Sequence, residues 1–257
     1  MNFSAVRLGW LLAVPLVVAC QQDNTENAPV TTKSPAGTTT APSSEAAEER
    51  DTALVRVVHA IPAGASVDVF VGDQRVFDGL AYKAVTPYRE MDGQRYTFRL
   101  RQAGASTDAD ALARNTEGLD DGDYYTVFAV PDDDDGAMLR IVQDDHSRLA
   151  AGKARVRVVH ASRDAGEVDL HTAGRDDALF DGVDFQSVTD YDEVDAFTGT
   201  LQLRHEDNDE AVLLSVPDVR LDAGKTYTIV VVGRVKGTPR LEAFVIEDQA
   251  MAAPSTQ

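Results

Sequence analysis

His59 and His160 occupy matching places in two copies of one hexamer, VRVVHA, which spans Val55 to Ala60 and again Val156 to Ala161. Each copy brings an arginine, Arg56 or Arg157, and shortly afterwards an aspartate, Asp68 or Asp169. A histidine, an aspartate and an arginine can form a charge network that titrates near neutrality. The second copy adds His171, two residues after Asp169 and so on the same face of an extended strand. His160, Asp169 and His171 therefore make a candidate transition-metal set for a hydrolase or metalloenzyme. Phe70 stands in the first copy where His171 stands in the second, which confines such a site to the second copy. Strand alternation also places His59 on the face of Val55 and Val57. A buried histidine hydrogen-bonded to a neighbouring strand is the expected outcome, and duplication alone accounts for its recurrence.

Carboxylates cluster in PDDDDG, from Pro131 to Gly136, and in HEDNDE, from His205 to Glu210. Calcium takes six to eight oxygen ligands, often from such loops, so Asp132, Asp133, Asp134 and Asp135 are the candidate ligands of a calcium-dependent binding module. The EF-hand spacing is missing, and Asp and Gly between two strands are ordinary hairpin residues. The expectation is a solvated turn and no cofactor, with calcium as the alternative. No GxSxG, HExxH, CxxC, P-loop or dinucleotide glycine pattern occurs. Cys20 is the single cysteine, which excludes an intrachain disulfide and a zinc-thiolate cluster. The single tryptophan, Trp10, lies in the N-terminal apolar stretch, so glycosidase and strong sugar-stacking readings are weak. The expectation is a protein that is not an enzyme.

The elements that must hold these side chains are strands. RYTFRLR puts Tyr96, Phe98 and Leu100 on one face, and TLQLRH does the same with Leu201 and Leu203. YTVFAV from Tyr125 and YTIVVV from Tyr227 are nearly unbroken apolar runs, as central strands read. The two halves align throughout: SVDVF with EVDLH, FDGLAYKAVTPY with FDGVDFQSVTDY, LDDGDYY with LDAGKTY. The unit is a domain of roughly a hundred residues, not a short solenoid repeat. Leu-x-x-Gly-x-x-Tyr, ending at Tyr125 and Tyr227, resembles the tyrosine corner of Greek-key sandwiches. The predicted fold is all-β: two tandem immunoglobulin- or fibronectin III-like antiparallel β-sandwiches of about seven strands each, following a disordered tether. Predicted inward residues are Val55, Val57, Val69, Phe98, Leu100, Tyr125 and Val127, with Val156, Val158, Leu170, Leu201, Leu203, Tyr227 and Ile229 as their counterparts.

The chain has 43 acidic and 24 basic residues and a formal charge of −19, which disfavours nucleic acid and anionic headgroups as partners. At the N-terminus, Arg7 precedes an apolar run from Leu8 to Ala19 that is shorter than the roughly 20 residues a bilayer span requires. The arrangement fits a secretory signal, and Val17-Val18-Ala19-Cys20 resembles a bacterial lipobox. The resemblance implies acylation of Cys20, with Gln21 after it implying the outer membrane. Residues 21–50 are rich in Thr, Ser, Pro and Ala and are expected to be disordered. The expected organisation is a signal over 1–19, acylated Cys20 and tether over 20–50, sandwiches over 51–148 and 149–250, and a disordered tail over 251–257.

The set formed by VRVVHA, VDVF, FDGLAYKAVTPY and the Leu-x-x-Gly-x-x-Tyr corner resembles the domain-of-unknown-function family DUF4397, in two copies over residues 53 to 248. The resemblance implies secreted or surface-attached β domains and no established catalytic residues. The functional expectation is a lipid-anchored envelope protein that binds, scaffolds or adheres to another envelope protein or a glycan.

Overall fold

A computed structural model describes residues 51–62, 65–134, 136–206 and 208–249. The signal over 1–19, Cys20 with the tether to residue 50, Asp135 of the acidic run and the tail over 251–257 lie outside the described residues. The described elements are strands throughout, and none of the described residues forms a helix long and apolar enough to cross a membrane.

Copy 1 holds β1 (Ala53–His59), β2 (Val67–Val71), β3 (Gln74–Leu80), β4 (Arg89–Met91), β5 (Arg95–Gln102), β6 (Ala113–Gly118), β7 (Tyr124–Pro131) and β8 (Ala137–Asp144). Copy 2 holds β9 (Lys153–His160), β10 (Val168–Thr172), β11 (Ala178–Val183), β12 (Asp192–Asp195), β13 (Phe197–His205), β14 (Asn208–Leu221), β15 (Thr226–Val232) and β16 (Glu242–Glu247). Each copy is a four-on-four sandwich, with sheets β4-β1-β7-β8 and β3-β2-β5-β6 in the first and β12-β9-β15-β16 and β11-β10-β13-β14 in the second.

Two expectations are corrected here. Each copy has eight strands rather than seven, because β4 and β12 are short edge strands too brief to show a period in sequence. The sheets are not wholly antiparallel either. β1 lies parallel to β7, pairing Val55 with Tyr125 and Val57 with Val127, and β9 lies parallel to β15 in the same register. The opening strand of each copy is thus inserted between the short edge strand and the strand that carries the tyrosine.

The core within each sandwich follows the alternation. Val55, Val57, Val69, Phe98, Leu100, Tyr125 and Val127 are buried in one cluster, and Val156, Val158, Leu170, Leu201, Leu203, Tyr227 and Ile229 in its counterpart. The tyrosine corners are formed: the Tyr125 hydroxyl accepts the Asp120 amide at 3.1 Å, and the Tyr227 hydroxyl accepts the Asp222 amide at 3.0 Å. Tyr125→Phe or Tyr227→Phe leaves one backbone N–H without that acceptor. Each is expected to cost about 0.5–1.5 kcal/mol in urea unfolding, with the fold unchanged by circular dichroism.

The other faces of β1, β7, β9 and β15 do not meet water. Val58, Ala60, Phe128 and Val130 of copy 1 pack with Val159, Ala161, Val230, Val232 and Ile246 of copy 2 in a third buried cluster. The β1-bearing and β9-bearing sheets are therefore buried on both faces, and the described body is four sheets deep. This accounts for the unbroken apolar runs in β7 and β15: a strand with one wet face alternates, and one with two dry faces cannot.

Candidate functional site

Arg56 and Arg157 interrupt these dry faces, and their burial requires partners. The partner of each lies in the other copy. Arg56 Nη2 donates to Asp248, at the end of copy 2, and Arg157 Nη2 donates to Asp144, at the end of copy 1. Both aspartates are buried. Arg56 Nε donates to Thr126 Oγ1 at 2.8 Å, whose hydroxyl donates in turn to Asp144 Oδ2 at 2.6 Å. The second copy repeats this, with Arg157 Nε to Thr228 Oγ1 at 2.9 Å and Thr228 to Asp248 Oδ2 at 2.7 Å. Tyr88 donates to Asp144 Oδ2 at 2.6 Å and Tyr191 to Asp248 Oδ2 at 3.0 Å, while each ring also lies under a guanidinium. Each carboxylate so receives an arginine, a threonine and a tyrosine. The network is a crossed, twofold-like lock made of two arginines and two aspartates, with no net charge.

Its electrostatics follow from this count. Burial alone would raise the Asp144 pKa, but Arg157 and Arg56, helped by the Thr126 and Tyr88 hydroxyls, hold it below the usual carboxylate range. Burial alone would lower Arg56, but Asp248, Tyr88 and Asp144 together push it above its ordinary value. Beside the lock, the His146 ring sits edge-on to Tyr124 at 4.4 Å between centroids, and burial lowers its pKa despite nearby Asp144.

The residues singled out in the sequence fall elsewhere. His59 and His160 are buried, as the alternation predicted, but each bonds its own following loop rather than a neighbouring strand. His59 Nδ1 accepts the Ile61 amide at 3.3 Å; His160 Nδ1 accepts the Ser162 amide at 3.3 Å, and its Nε2 pairs with the Gly166 carbonyl at 2.8 Å. Asp68 and Asp169 join no histidine or arginine of VRVVHA. Asp68 Oδ1 accepts the Gly79 amide at 2.7 Å, and Asp169 Oδ1 accepts that of Gly182 at 2.7 Å. These glycines have φ of +62° and +61°, at irregularities in the β2–β3 and β10–β11 pairings. The repeated FDG is thus a bulge held by a buried carboxylate.

His160, Asp169 and His171 are not brought together. His160 continues the core-facing row of Val156 and Val158, whereas Asp169 and His171 alternate with the core residues Val168 and Leu170 on the opposite face of another sheet. Among the described residues no group of three or more His, Cys, Asp or Glu is placed to hold a metal ion. Of the acidic run, Asp132 Oδ1 accepts the amides of Asp134 at 2.9 Å and Gly136 at 2.6 Å. Asp133 Oδ1 accepts from Gln186 Nε2 of copy 2 at 3.2 Å, and Asp134 is exposed. A Cβ at Gly136 would lie 2.5 Å from the Asp132 carboxylate, so the turn closes on that side chain.

Burial that is complete at His59 and His160 and partial at His146 has a pH consequence. Burial is the leading cause that lowers the pKa of His59, His146 and His160. The unfolded chain therefore binds more protons than the folded one once pH falls below the free imidazole value of about 6.5. Stability is expected to be flat above that value and to fall toward pH 5, with up to about three protons taken up on unfolding. Urea titrations at pH 8, 6 and 5 measure this, and an unchanged free energy at pH 5 would contradict it.

The fold and the lock together define a tandem β-sandwich protein whose two copies are docked into one body. The family profile "Domain of unknown function (DUF4397)" matches residues 53–171 and 173–257, and the chain belongs to that family. Comparison of the sequence with curated proteins finds no match. Among solved structures, the chain is similar at 8% identity to a candidate cell adhesion protein from Bacteroides ovatus, over 81% of this chain and 99% of that one, with a TM-score of 0.23. A fimbrial anchor protein from Porphyromonas gingivalis matches at 10% identity over 76% of this chain and 97% of that one, with a TM-score of 0.19.

The lock was missed by reasoning from single motifs. Its signal was present: Arg56, Tyr88, Thr126 and Asp144 all have counterparts of the same type in copy 2, at Arg157, Tyr191, Thr228 and Asp248.

Proposed function

We propose that this chain is a lipid-anchored, non-enzymatic protein of the bacterial cell envelope, in which the paired sandwiches are a binding or scaffolding unit for a neighbouring envelope protein or glycan. The observation that carries the reading is the crossed lock. The buried charges repeated in both copies join the copies to each other instead of lining a cleft around a substrate. A body held this way presents the loops at its sandwich ends in a constant arrangement, which is what a scaffold requires. The apolar segment, the Val17-Val18-Ala19-Cys20 sequence and the polar linker after it supply the address, with acylation at Cys20 and Gln21 favouring the outer membrane.

Covalent crosslinking in intact cells, followed by recovery of the acylated protein, tests the reading. A specific protein or glycan partner is expected with the wild type and not with Cys20→Ser. Recovery of lipid and bulk abundant proteins alone would remove the scaffold reading, and a fatty-acid label absent from the wild type would remove the anchor.

A further inference from the structure

The two copies differ at one end of the sandwich. In copy 1 the ends of β1 and β5 and the starts of β2 and β8 surround a cavity of about 300 Å³. His59, Ile61, Val67, Leu112 and Ala137 line it, and Leu112 is 53% exposed at its rim. Three hundred cubic ångströms is the low end of ligand-pocket size and suits a small apolar group.

Copy 2 covers the matching strand ends with its own chain. The connection from β15 to β16 runs from Gly233 to Leu241, longer than the turn from Asp132 to Gly136 between β7 and β8. The Asp164 carboxylate holds this connection down by accepting the amides of Val235 at 2.8 Å and Lys236 at 2.9 Å. Val235 and Leu241 then pack on the copy 2 core. The position of Gln102, opposite Val67, is taken by His205, opposite Val168, whose Nε2 lies 3.0 Å from a Cβ built on Gly166. The histidine pair differs accordingly. Nδ1 of each ring accepts an amide, so the proton of the neutral ring lies on Nε2. That proton is donated to Gly166 in copy 2, while the equivalent approach of His59 to the Ala65 carbonyl does not close to a hydrogen bond.

We infer that the copy 1 cavity receives a branched aliphatic side chain from a basic partner polypeptide, taking the place that Val235 and Leu241 of the long connection take in copy 2. The basic character follows from the mouth. The loop before Leu112 carries Asp108 and Asp110, exposed, and the opposite turn carries Asp132, Asp133 and Asp134; neither loop contains a Lys or Arg, and Arg101, whose guanidinium holds the first loop through the Thr107 and Ala109 carbonyls, is buried beneath it. On a chain of charge −19 this mouth attracts cations and repels acidic segments.

The inference rests on the reading of the chain as a binding unit, and its test separates the two. The probes are the capped tripeptides Lys-Leu-Lys, Glu-Leu-Glu and Lys-Asn-Lys, with 3-methyl-1-butanol as the free aliphatic group, titrated into the full chain while the methyl signals of Ile61, Val67 and Leu112 are followed by NMR. Saturable shifts are expected with Lys-Leu-Lys, at an affinity at least tenfold above that of the other two peptides. Ala137→Leu, which fills the cavity, is expected to abolish the shifts while keeping the wild-type unfolding midpoint; should it fail to fold, Leu112→Asp at the exposed rim takes its place with the same expectation. Equal binding of Glu-Leu-Glu would overturn the basic partner. Binding of the alcohol without the peptide would overturn a polypeptide source. Absence of all shifts would overturn the site. If the crosslinked partner in cells is retained by Ala137→Leu, the cavity inference fails while the scaffold reading stands.

Discussion

Asp144→Ala is expected to destabilise the whole body by roughly 3–5 kcal/mol, the cost of leaving a buried charge without its counter-charge. The variant removes the acceptor of Arg157, Thr126 and Tyr88 at once, and Arg157 belongs to the other copy. Urea unfolding of the full chain measures the loss. The double variant Asp144→Leu with Arg157→Leu should recover a large part of it, because an ion pair replaced by apolar groups is often neutral or better. The coupling between the two positions is then non-additive, as contact through one network demands. A loss below about 1 kcal/mol for Asp144→Ala, in the range of a surface pair, would show that the lock is solvated.

The same residue sets the acid limit. The folded state holds the Asp144 pKa below its ordinary value, so the contribution is present above the unfolded carboxylate value of about 3.9 and is lost as pH falls through the lower folded value. In Asp144→Ala that portion of the acid unfolding should vanish, while the histidine-linked loss nearer neutrality stays.

Separating the copies is the second large effect. Residues 51–148 expressed alone would expose Val58, Ala60, Phe128 and Val130 on one sheet face and leave Arg56 and Asp144 without Asp248 and Arg157. Fully burying a large apolar side chain contributes about 1.5–3 kcal/mol, and a patch of this kind on a monomer favours association. We expect the isolated copy to aggregate or to unfold without cooperativity. The full chain should instead unfold in a single transition by calorimetry, and the two halves produced together should be recovered as a one-to-one complex. A soluble, monomeric and cooperatively folded 51–148 would overturn the view that the docking is part of the fold. At the rim, Lys83 Nζ to Glu242 at 2.9 Å and Arg140 Nε to the Gln186 carbonyl at 3.1 Å add contacts between the copies, but they are partly solvated and are expected to matter less.

Which part of this was legible from letters alone is clear residue by residue. Phe98 and Leu100, or Leu201 and Leu203, could be assigned inward because facing in a strand is a local property of period two. Tyr125 and Tyr227 could be read as corners because their partners, Asp120 and Asp222, lie five residues upstream. The burial of His59 and His160 followed from the same alternation, although their partners did not. Asp132 reads as a turn residue and closes its own turn. The metal set was less tractable: Asp169 and His171 share a face by spacing, but that face points away from the copy 2 core, whereas His160 lies on the other sheet in the row that faces it.

The sequence by itself determined the duplication, the all-β class, the inward residues and the family, because repetition and strand facing are written locally and in duplicate. Only the tertiary structure decided the parallel insertion of β1 and β9, the docking of the copies, the crossed lock and the open end of copy 1. Arg56 meets Asp248 across 192 positions, a pairing set by where the last segment of the other copy lies and by no feature of spacing within either one. The apolar runs of β7 and β15 read as central strands, and the structure shows that both of their faces are dry. What each second face is dry against depends on the packing of whole sheets, which no local period encodes.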